Sequence, residues 1–411
     1  MHNIFIILVF CIVLFSAEAK AQVYGCTDPL ASNYNVTATV NDGSCIYNNT
    51  SVAPVTSKLL SPQISETSGL IFWNNYLWTH NDNTDTNLYV LDTTTGAIVQ
   101  TYPVYGFENT DWEDISQDDH YIYIGDFGNN ANGNRTDLRI IRIEKNSLLQ
   151  NITVADTINF SYSNQTNFIP AGSCNTDFDC EAFIVTSDSI FLFTKQWISN
   201  QTSIYALPKT PGTYIAQLQA TNNVDGLITG ATCLQPEKLV VLCGYSTTLQ
   251  PFALLLYDFN GNDFFSGNKR KISISLPLHQ IEGITTNNGL FYYFSNEYFS
   301  RMKIIATEQK LHLIDLSPYL GDYLNYPATY GSKTEFSDDV AIYPNPGKDV
   351  ISVKINTSKT EKNYFISDIS GKIVLSGILE SDSSNIHVNK LKKGTYFLQV
   401  GHKDVFKWIK E

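Results

Sequence analysis

Apolar and polar residues alternate along most of this chain, and no stretch keeps apolar residues at positions i, i+3, i+4 and i+7. A period of two is typical of β-strands with one buried face, whereas an amphipathic helix needs a period near 3.6. Aromatic residues make up 13% of the sequence and only two methionines occur, which also favours strands. The pattern therefore predicts an all-β protein.

A three-residue pattern recurs five times between Lys58 and Leu320, each time at the start of a predicted strand that a turn and a second strand follow. It consists of a polar residue, a small or acidic residue and an apolar residue. The five copies are Ser68-Gly69-Leu70, Glu113-Asp114-Ile115, Glu181-Ala182-Phe183, Thr229-Gly230-Ala231 and Glu282-Gly283-Ile284. Four-stranded units of this size, repeated around an axis, are typical of a β-propeller.

The spacing of the copies leaves the number of blades open. The intervals are 45, 68, 48 and 53 residues, and the second is long enough to contain an extra strand or a degenerate blade. We therefore predict a five- or six-bladed β-propeller. A β-sandwich with long loops is the alternative.

Alternating strands continue after Val340, and they are predicted at Val350–Ile355, Tyr364–Ile369, Lys372–Gly377, Thr395–Val400 and Val405–Ile409. About 70 residues of short strands fit a small immunoglobulin-like β-sandwich. The chain then divides into a signal peptide (1–21), a short cysteine-closed module and linker (22–57), the β-propeller (58–320), a second linker (321–339) and this terminal domain (340–411).

The terminal domain carries four motifs in a fixed order. They are Val340-Ala341-Ile342-Tyr343-Pro344-Asn345-Pro346, Ile366-Ser367-Asp368-Ile369-Ser370-Gly371-Lys372, Leu391-Lys392-Lys393-Gly394-Thr395-Tyr396-Phe397 and Phe406-Lys407-Trp408-Ile409-Lys410. With these motifs the domain resembles the type A C-terminal sorting domain of type IX secretion cargo. The resemblance implies handling by the type IX machinery, passage across the outer membrane, removal of this domain, and either release or attachment to a surface lipopolysaccharide.

The first residues predict export from the cytoplasm. An apolar run from Asn3 to Ala17 precedes Ala19-Lys20-Ala21, a small-x-small cleavage site that puts the mature start near Gln22. An uncleaved anchor helix is the alternative, but about 15 residues are short for crossing a bilayer. No later segment is apolar enough to cross a membrane, so we expect no transmembrane segment in the mature chain.

Six cysteines remain after the predicted signal peptide, and they fall into three close pairs. An even number of locally paired cysteines in an exported chain predicts disulfides rather than a metal site, since no Cys-x-x-Cys occurs. The predicted bonds are Cys26–Cys45, Cys174–Cys180 and Cys233–Cys243.

The segment from Gly25 to Cys45 resembles a small cysteine-closed module that recurs beside export domains in secreted bacterial proteins. It contains side chains whose oxygen atoms suit calcium, namely Asp28, Asn33, Asn41 and Asp42. They do not follow the spacing of an EF-hand loop, and turn formation by Asp, Asn and Gly is the alternative.

Negative charge is concentrated in the predicted propeller. Lys58 to Leu320 holds 26 acidic and 14 basic residues, whereas Val340 to Glu411 holds 7 acidic and 11 basic residues. The propeller's net charge of −12 therefore accounts for nearly all of the chain's −13. An acidic body argues against nucleic acid and anionic lipid as partners and is compatible with cations.

The first strand of each propeller blade lines the central channel, so the five copies place these residues at equivalent inner positions: Ser68, Glu113, Glu181, Thr229 and Glu282. Carboxylates that converge near one axis repel one another unless protons or a cation neutralise them. The ends of the second strands add oxygen donors, among them Asp82, Asp126 and Asn296. The sequence predicts a site for calcium or another divalent cation at the channel mouth, centred on Glu113, Glu181 and Glu282. Acidic turns without an ion are the alternative.

The densest polar stretch is Asp111-Trp112-Glu113-Asp114-Ile115, followed by Tyr123-Ile124-Gly125-Asp126-Phe127-Gly128-Asn129-Asn130. It resembles a motif of poorly characterised secreted propellers, which implies no particular activity. More distantly, the organisation is similar to metal-dependent lactonases and phytase-like propellers. The sequence contains no Gly-x-Ser-x-Gly elbow, Walker loop or His-Glu-x-x-His motif.

These observations favour a binding module over an enzyme. We expect a secreted or surface-attached propeller that calcium stabilises and that binds an unknown extracellular ligand. The alternative is a metal-dependent hydrolase of the lactonase or phosphoesterase kind that uses Glu113, Glu181 or Glu282 as metal ligands.

Overall fold

The structure is a computed structural model that describes residues 22–301, 305–325, 340–344, 347–355, 363–368, 372–379, 383–400 and 404–410. The predicted signal peptide and most of the predicted linker at 321–339 lie outside these residues. The described part of the chain is mostly β, as the alternation predicts. Its α-helices are α1 (Lys145–Leu148) and α2 (Ser317–Asn325).

Four short strands lie in the N-terminal segment, and a 3-10 helix follows them at Pro62–Ile64. The strands are β1 (Tyr24–Gly25), β2 (Val40–Asn41), β3 (Ser51–Val52) and β4 (Thr56–Leu59). The predicted disulfide between Cys26 and Cys45 is present and closes the module formed by β1 and β2.

The module docks against the rest of the chain through its polar side chains. The carboxylate of Asp28 accepts hydrogen bonds from the hydroxyl groups of Tyr47 and Tyr257. The amide of Asn41 donates to the carboxylate of Asp258 at 2.9 Å. Asp28 and Asn41 therefore serve docking in this structure.

Five antiparallel sheets follow along the chain. The first consists of β5 (Thr67–Trp73), β6 (Tyr76–Asn81), β7 (Asn87–Leu91) and β8 (Ile98–Pro103). The second consists of β9 (Trp112–Gln117), β10 (Tyr121–Asp126), β11 (Arg139–Glu144) and β12 (Ala155–Tyr162). The third consists of β13 (Asp179–Val185), β14 (Ser189–Lys195), β15 (Gln201–Pro208) and β16 (Gly212–Asn223).

The fourth sheet consists of β17 (Leu227–Leu234), β18 (Leu239–Tyr245), β19 (Pro251–Tyr257) and β20 (Asn268–Ile274). The fifth contains β21 (Ile281–Thr286), β22 (Phe291–Asn296) and β25 (Lys310–Asp315), and a hairpin of β23 (Phe299–Arg301) and β24 (Ile305–Thr307) lies between the last two. Strand β4 pairs with β25 and completes the fifth sheet.

The first strands of the five sheets contact one another in a closed ring, in the order β5, β9, β13, β17, β21 and back to β5. Because β4 comes from the N-terminal segment, the start of the described chain closes the ring onto the last sheet. At the outer edges, β3 pairs in parallel with β20 and β12 with β16, which joins the second and third sheets. The arrangement is propeller-like.

Apolar side chains fill the space between neighbouring sheets and hold the first strands in place. Between the first and second sheets, Trp78 and Leu88 pack with Trp112, Ile122 and Ile141, and all five side chains are buried. Burial of such a side chain stabilises the fold by about 1.5–3 kcal/mol. These contacts explain why strand residues facing a neighbouring sheet are apolar.

Each first strand carries a β-bulge at the recurring three-residue pattern, where the pairing register shifts. The strands approach one another closely at the second residue of the pattern, which explains why four of the five copies have Gly or Ala there; the second copy has Asp114. A Cβ atom on Gly69 would lie 2.6 Å from the amide nitrogen of Ile115, and one on Gly230 would overlap the carbonyl oxygen of Glu282.

The long interval between Glu113 and Glu181 contains no sixth sheet. All of its residues are described, and they form β9 to β12, the short helix α1 and a long connection without strands at 163–178. The propeller-like part therefore has one sheet for each copy of the recurring pattern.

Two of the three predicted disulfides are wrong, because Cys174, Cys180, Cys233 and Cys243 are free thiols. In the β17–β18 pair, Cys233 lies opposite Val240 and Cys243 lies opposite Gly230, so the two cysteines are not cross-strand partners. Their side chains belong to different apolar clusters on the two faces of the sheet. Cys180 is buried in a further cluster, whereas Cys174 is exposed in a loop.

The terminal domain forms two sheets. One contains β26 (Val340–Tyr343), β27 (Val350–Ile355) and β30 (Ser383–His387), and the other contains β28 (Asn363–Asp368), β29 (Ile373–Ile378), β31 (Gly394–Val400) and β32 (Asp404–Lys410). Ile351, Ile366, Leu398 and Trp408 are buried in its core. The indole N–H of Trp408 donates to the carbonyl oxygen of Pro344 at 2.9 Å, which ties the last motif to the first.

Candidate functional site: the acidic channel mouth

Three sets of equivalent positions form the channel mouth, and each sheet contributes one residue to each set. The bulge positions hold Ser68, Glu113, Glu181, Thr229 and Glu282. The entry positions, two residues earlier, hold Glu66, Asp111, Asp179, Leu227 and Gln280. The facing positions, which pair with the entry positions from the end of each second strand, hold Asp82, Phe127, Lys195, Tyr245 and Glu297.

Eight of these positions carry a carboxylic acid and one carries a base. The acids are Glu66, Asp82, Asp111, Glu113, Asp179, Glu181, Glu282 and Glu297, and the base is Lys195. The fourth sheet contributes only the neutral side chains Leu227, Thr229 and Tyr245. The first, second, third and fifth sheets therefore supply all of the charge.

Lys195 lies inside this group of acids. Its Nζ is 3.0 Å from Oε2 of Glu181, and both side chains are buried. The ring centroids of Trp197 and Tyr245 lie 4.8 and 5.3 Å from the ammonium. Burial by itself lowers the pKa of Lys195, but the nearby charges, those of Glu181 and Glu282 among them, hold that pKa well above its usual value. Lys195 thus supplies a permanent internal positive charge.

The inner acids of the second and third sheets lie next to one another. A Cβ atom on Gly128 would overlap both Oε1 of Glu113 and Oδ2 of Asp111, so these two carboxylates converge over that glycine. Asp179 accepts a hydrogen bond from the indole N–H of Trp197 at 2.7 Å. Burial, followed by the charges of neighbouring carboxylates, raises the pKa of Glu113 well above its usual value and that of Asp111 to about 6.

Glu282 is the acid at the bulge position of the fifth sheet. Its side chain is buried, and its Oε2 has no hydrogen-bond partner among the described residues. Burial raises its pKa well above the usual value; Lys195 opposes this shift, and Glu297, Glu181 and Asp82 add to it. Glu282 therefore lies within electrostatic range of both inner and outer acids.

The outer acids come from the first and fifth sheets. Glu66, Asp82 and Glu297 are half-buried, and one carboxylate oxygen of each lies within 4.8 Å of the other two. Burial, and then the charges of neighbouring acids, raises the pKa of Asp82 to about 7 and that of Glu297 to about 8. Among the described residues, this is the group of three that can share one metal ion.

A further carboxylate, Asp114, lies one residue beyond the bulge position of the second sheet and spans the ring. It accepts backbone hydrogen bonds from Ile115 at 2.8 Å, Phe183 at 3.1 Å and Ala231 at 3.3 Å, which belong to three different sheets. The side chain is fully buried, and burial raises its pKa well above the usual value, although these three donors oppose that shift. Asp114 therefore links the first strands of three sheets through hydrogen bonds.

Two of the predicted ligands have structural partners instead. Both carboxylate oxygens of Asp126 are engaged in ion pairs, with Arg135 at 3.0 Å and Arg139 at 2.8 Å. The side-chain oxygen of Asn296 lies 2.8 Å from Nε2 of His312, and its amide donates to two backbone carbonyls. These contacts leave Asp126 and Asn296 little capacity for an ion.

The structure brings Glu113, Glu181, Glu282 and Asp82 into one group of acids. The three acids that can share one ion are, however, Glu66, Asp82 and Glu297, and not the predicted centre of Glu113, Glu181 and Glu282. Glu66 and Glu297 were missed because they lie just outside the recurring pattern. The signal was an acid two residues before the pattern, which occurs in three of the five copies, at Glu66, Asp111 and Asp179.

No helix among the described residues is long and apolar enough to cross a membrane.

The last part of the chain has a defined family. Residues 341–411 match the family model described as the secretion system C-terminal sorting domain. This part of the chain is a type IX secretion C-terminal sorting domain, which implies that the protein is secreted to the cell surface or the exterior.

No curated protein matches the chain. Among solved structures, the chain is similar to PorZ of Porphyromonas gingivalis, described as an essential surface component of the type IX secretion system, with 12% identity, 84% of this chain covered and a TM-score of 0.28. The match covers 45% of PorZ, so this chain spans about half of that protein's length. It is also similar to the RRP9 WD40 repeats (9% identity, 65% and 100% of the two chains, TM-score 0.34) and to a chain of a mitotic checkpoint complex (10% identity, 66% and 96%, TM-score 0.34).

Proposed function

We propose that this secreted protein is a binding module, a five-bladed β-propeller that takes a positively charged ligand at its acidic channel mouth. The observation that carries the proposal is the charge balance of the mouth, where eight carboxylic acids surround one lysine. Lys195 compensates Glu181 directly, and the remaining acids have raised pKa values because they are buried and would repel one another as anions, so a cationic ligand would stabilise their ionised forms. Clefts lined by one sign of charge concentrate ligands of the opposite sign.

The loops beside the acids supply apolar surface to such a ligand. Tyr298 follows Glu297 and is 44% exposed, and Ile198 follows Trp197 and is 62% exposed. An aromatic ring face attracts a cation by about 0.5–1 kcal/mol at an exposed site. A ligand with a cationic group and an apolar part would therefore use both kinds of surface.

Covalent hydrolysis by a side-chain hydroxyl is disfavoured because the hydroxyl groups of Ser68 and Thr229 at the mouth have structural roles. Ser68 donates its hydroxyl hydrogen to the carbonyl oxygen of Glu113, and Thr229 donates to that of Ile281 at 2.5 Å. Both bonds join a first strand to a neighbouring first strand. Neither hydroxyl is therefore free to act as a nucleophile in this arrangement.

The domain boundaries that accompany this proposal are set by the ends of the strands. The propeller comprises residues 58–320 together with β4, the outer strand of the fifth sheet, and the terminal domain at 340–411 is an immunoglobulin-like sandwich that the export machinery handles. The mature module is then released or attached at the surface.

Calorimetric titration of the purified full chain with three cationic probes, calcium, spermine and tetralysine, tests the proposal. At least one probe should bind, and Glu66→Gln/Asp82→Asn/Glu297→Gln should abolish that binding while Glu308→Gln, an exposed acid in the same connection, leaves it intact. The proposal fails if no probe binds, if binding survives the triple substitution, or if ester, lactone or phosphoester substrates are turned over at this site.

A further inference from the structure

We infer that the ligand of the channel mouth is a hard divalent cation of the size of calcium, held between Glu66, Asp82 and Glu297 within electrostatic range of the buried carboxylate of Glu282. This inference rests on the proposed function, because it names the chemical class of the ligand that the acidic mouth takes.

The outer acids have the spacing that a calcium ion needs. Since the three carboxylate oxygens lie within 4.8 Å of one another, an ion at their centre is at most about 2.8 Å from each. Calcium takes oxygen ligands at about 2.3–2.6 Å in variable geometry, whereas magnesium demands about 2.0–2.1 Å in a strict octahedron. The spacing is within reach of calcium, and calcium's variable geometry suits three acids from two sheets better than magnesium's strict octahedron does.

Glu282 gives an independent reason to expect an ion. Its side chain is 6% exposed, and Oε2 accepts no hydrogen bond from any described residue. A buried carboxylate oxygen without a donor is costly unless a cation or a proton compensates it. Lys195 compensates Glu282 in part, and because Glu297 and Asp82 also act on Glu282, one ion among the outer acids would add to that compensation.

The facing positions show where a positive charge is built in and where it is missing. In the third sheet this position holds Lys195, whose ammonium pairs with Glu181 at 3.0 Å. In the first and fifth sheets the equivalent positions hold Asp82 and Glu297, and Glu66 lies at the entry position beside Asp82. The fold thus supplies its own cation on one side of the mouth, and the other side takes one from solution.

The surroundings also suit a partly hydrated ion. Glu66, Asp82 and Glu297 are half-buried, so solvent reaches the group from outside the channel. Calcium coordinates six to eight oxygen atoms, and the three outer carboxylates leave room for water molecules. Sites of this kind in extracellular proteins bind calcium with dissociation constants of about 0.1–1 mM or tighter.

The test is calcium titration of the purified full chain by calorimetry after exhaustive chelation. We expect one ion per chain, a dissociation constant below about 1 mM, at least tenfold weaker binding in Glu282→Gln, and unchanged binding in Glu308→Gln. A melting transition in each variant checks that it folds. Calcium should raise the melting temperature of the wild type and leave that of Glu66→Gln/Asp82→Asn/Glu297→Gln unchanged.

Two results separate this inference from the proposed function. If spermine or tetralysine binds at the mouth and calcium does not, the inference is overturned and the binding module stands. If none of the probes binds, both are overturned. Binding of calcium that survives the triple substitution also overturns the inference, because the ion then lies elsewhere.

Discussion

Lys195 Nζ and Glu181 Oε2 lie 3.0 Å apart at the centre of the acidic channel mouth, and both belong to the third sheet. Carboxylates that converge near an axis need a neutralising charge, and part of that charge is a side chain of the protein itself. The pair is buried, so neither group can exchange its partner for water.

Substitution of Lys195 by Met should therefore destabilise the protein strongly. Removing one member of a buried ion pair leaves an uncompensated charge and typically costs about 3–5 kcal/mol. The double variant Lys195→Met/Glu181→Gln should recover most of the loss, since it removes both charges. Urea unfolding of the wild type, both single variants and the double variant measures this coupling. Equal stabilities of Lys195→Met and the wild type would show that the pair does not hold the mouth together.

Asp114→Ala should cost more than an ordinary surface substitution, because it leaves three backbone N–H groups of three sheets without their acceptor. An unsatisfied buried donor costs about 1–3 kcal/mol. Asp119→Ala, at an exposed turn of the same sheet, should change the free energy of unfolding by about 0.5 kcal/mol or less. If the alanine variant is not recovered, Asp114→Asn keeps one acceptor oxygen and should show an intermediate loss. If the free energy of unfolding falls no more than in Asp119→Ala, Asp114 does not link the first strands as described.

The metal-free protein should become less stable as the pH rises from about 5.5 to 8.5. Burial holds the pKa of Asp82 at about 7 and that of Glu297 at about 8, above their values in an unfolded chain. The folded state therefore binds more protons in this range, and its advantage is fully present at low pH and is lost as the pH passes the folded pKa values. Each pKa unit corresponds to about 1.4 kcal/mol.

Melting temperatures in chelator across this pH range provide the measurement. Asp82→Asn should flatten the curve, because it removes one of the carboxyl groups whose pKa is raised into this range, whereas Glu308→Gln should not. A melting temperature that rises with pH would mean that these carboxylates are stabilised in their ionised form.

The sequence predicted the bulge residues well because the recurring pattern has a physical cause. Close approach of neighbouring first strands favours a small residue after the bulge, as at Gly69 and Gly230, and that constraint repeats in four of the five copies; Asp114 instead accepts hydrogen bonds from the approaching strands. No such constraint acts on the facing positions, which hold an acid, an aromatic residue or a lysine in different sheets. Lys195 was therefore not recognised as part of the site.

The cysteines show a different limit of sequence analysis. Cys233 and Cys243 lie on adjacent strands, but the bulge in β17 and the pairing register put their side chains on opposite faces of the sheet. Spacing along the chain does not reveal the face. Only the Cys26–Cys45 pair, which closes a module too short to have its own core, was predicted correctly.

Thiol labelling checks this assignment. In denaturant without a reductant, iodoacetamide should modify Cys174, Cys180, Cys233 and Cys243, and Cys26 and Cys45 should react only after reduction. In the native protein, Cys174 should react first because it is exposed, and Cys180 and Cys243 last because they are buried. A disulfide-linked peptide containing Cys233 and Cys243 in the mass spectrum would contradict the structure.

The most direct test of the channel mouth as a cation site is anomalous diffraction from crystals of the full chain soaked in manganese, which substitutes for calcium at oxygen sites. We expect one peak among the carboxylates of Glu66, Asp82 and Glu297, and its disappearance in Glu66→Gln/Asp82→Asn/Glu297→Gln. An empty mouth at millimolar manganese, or a peak confined to another part of the protein, would contradict this expectation.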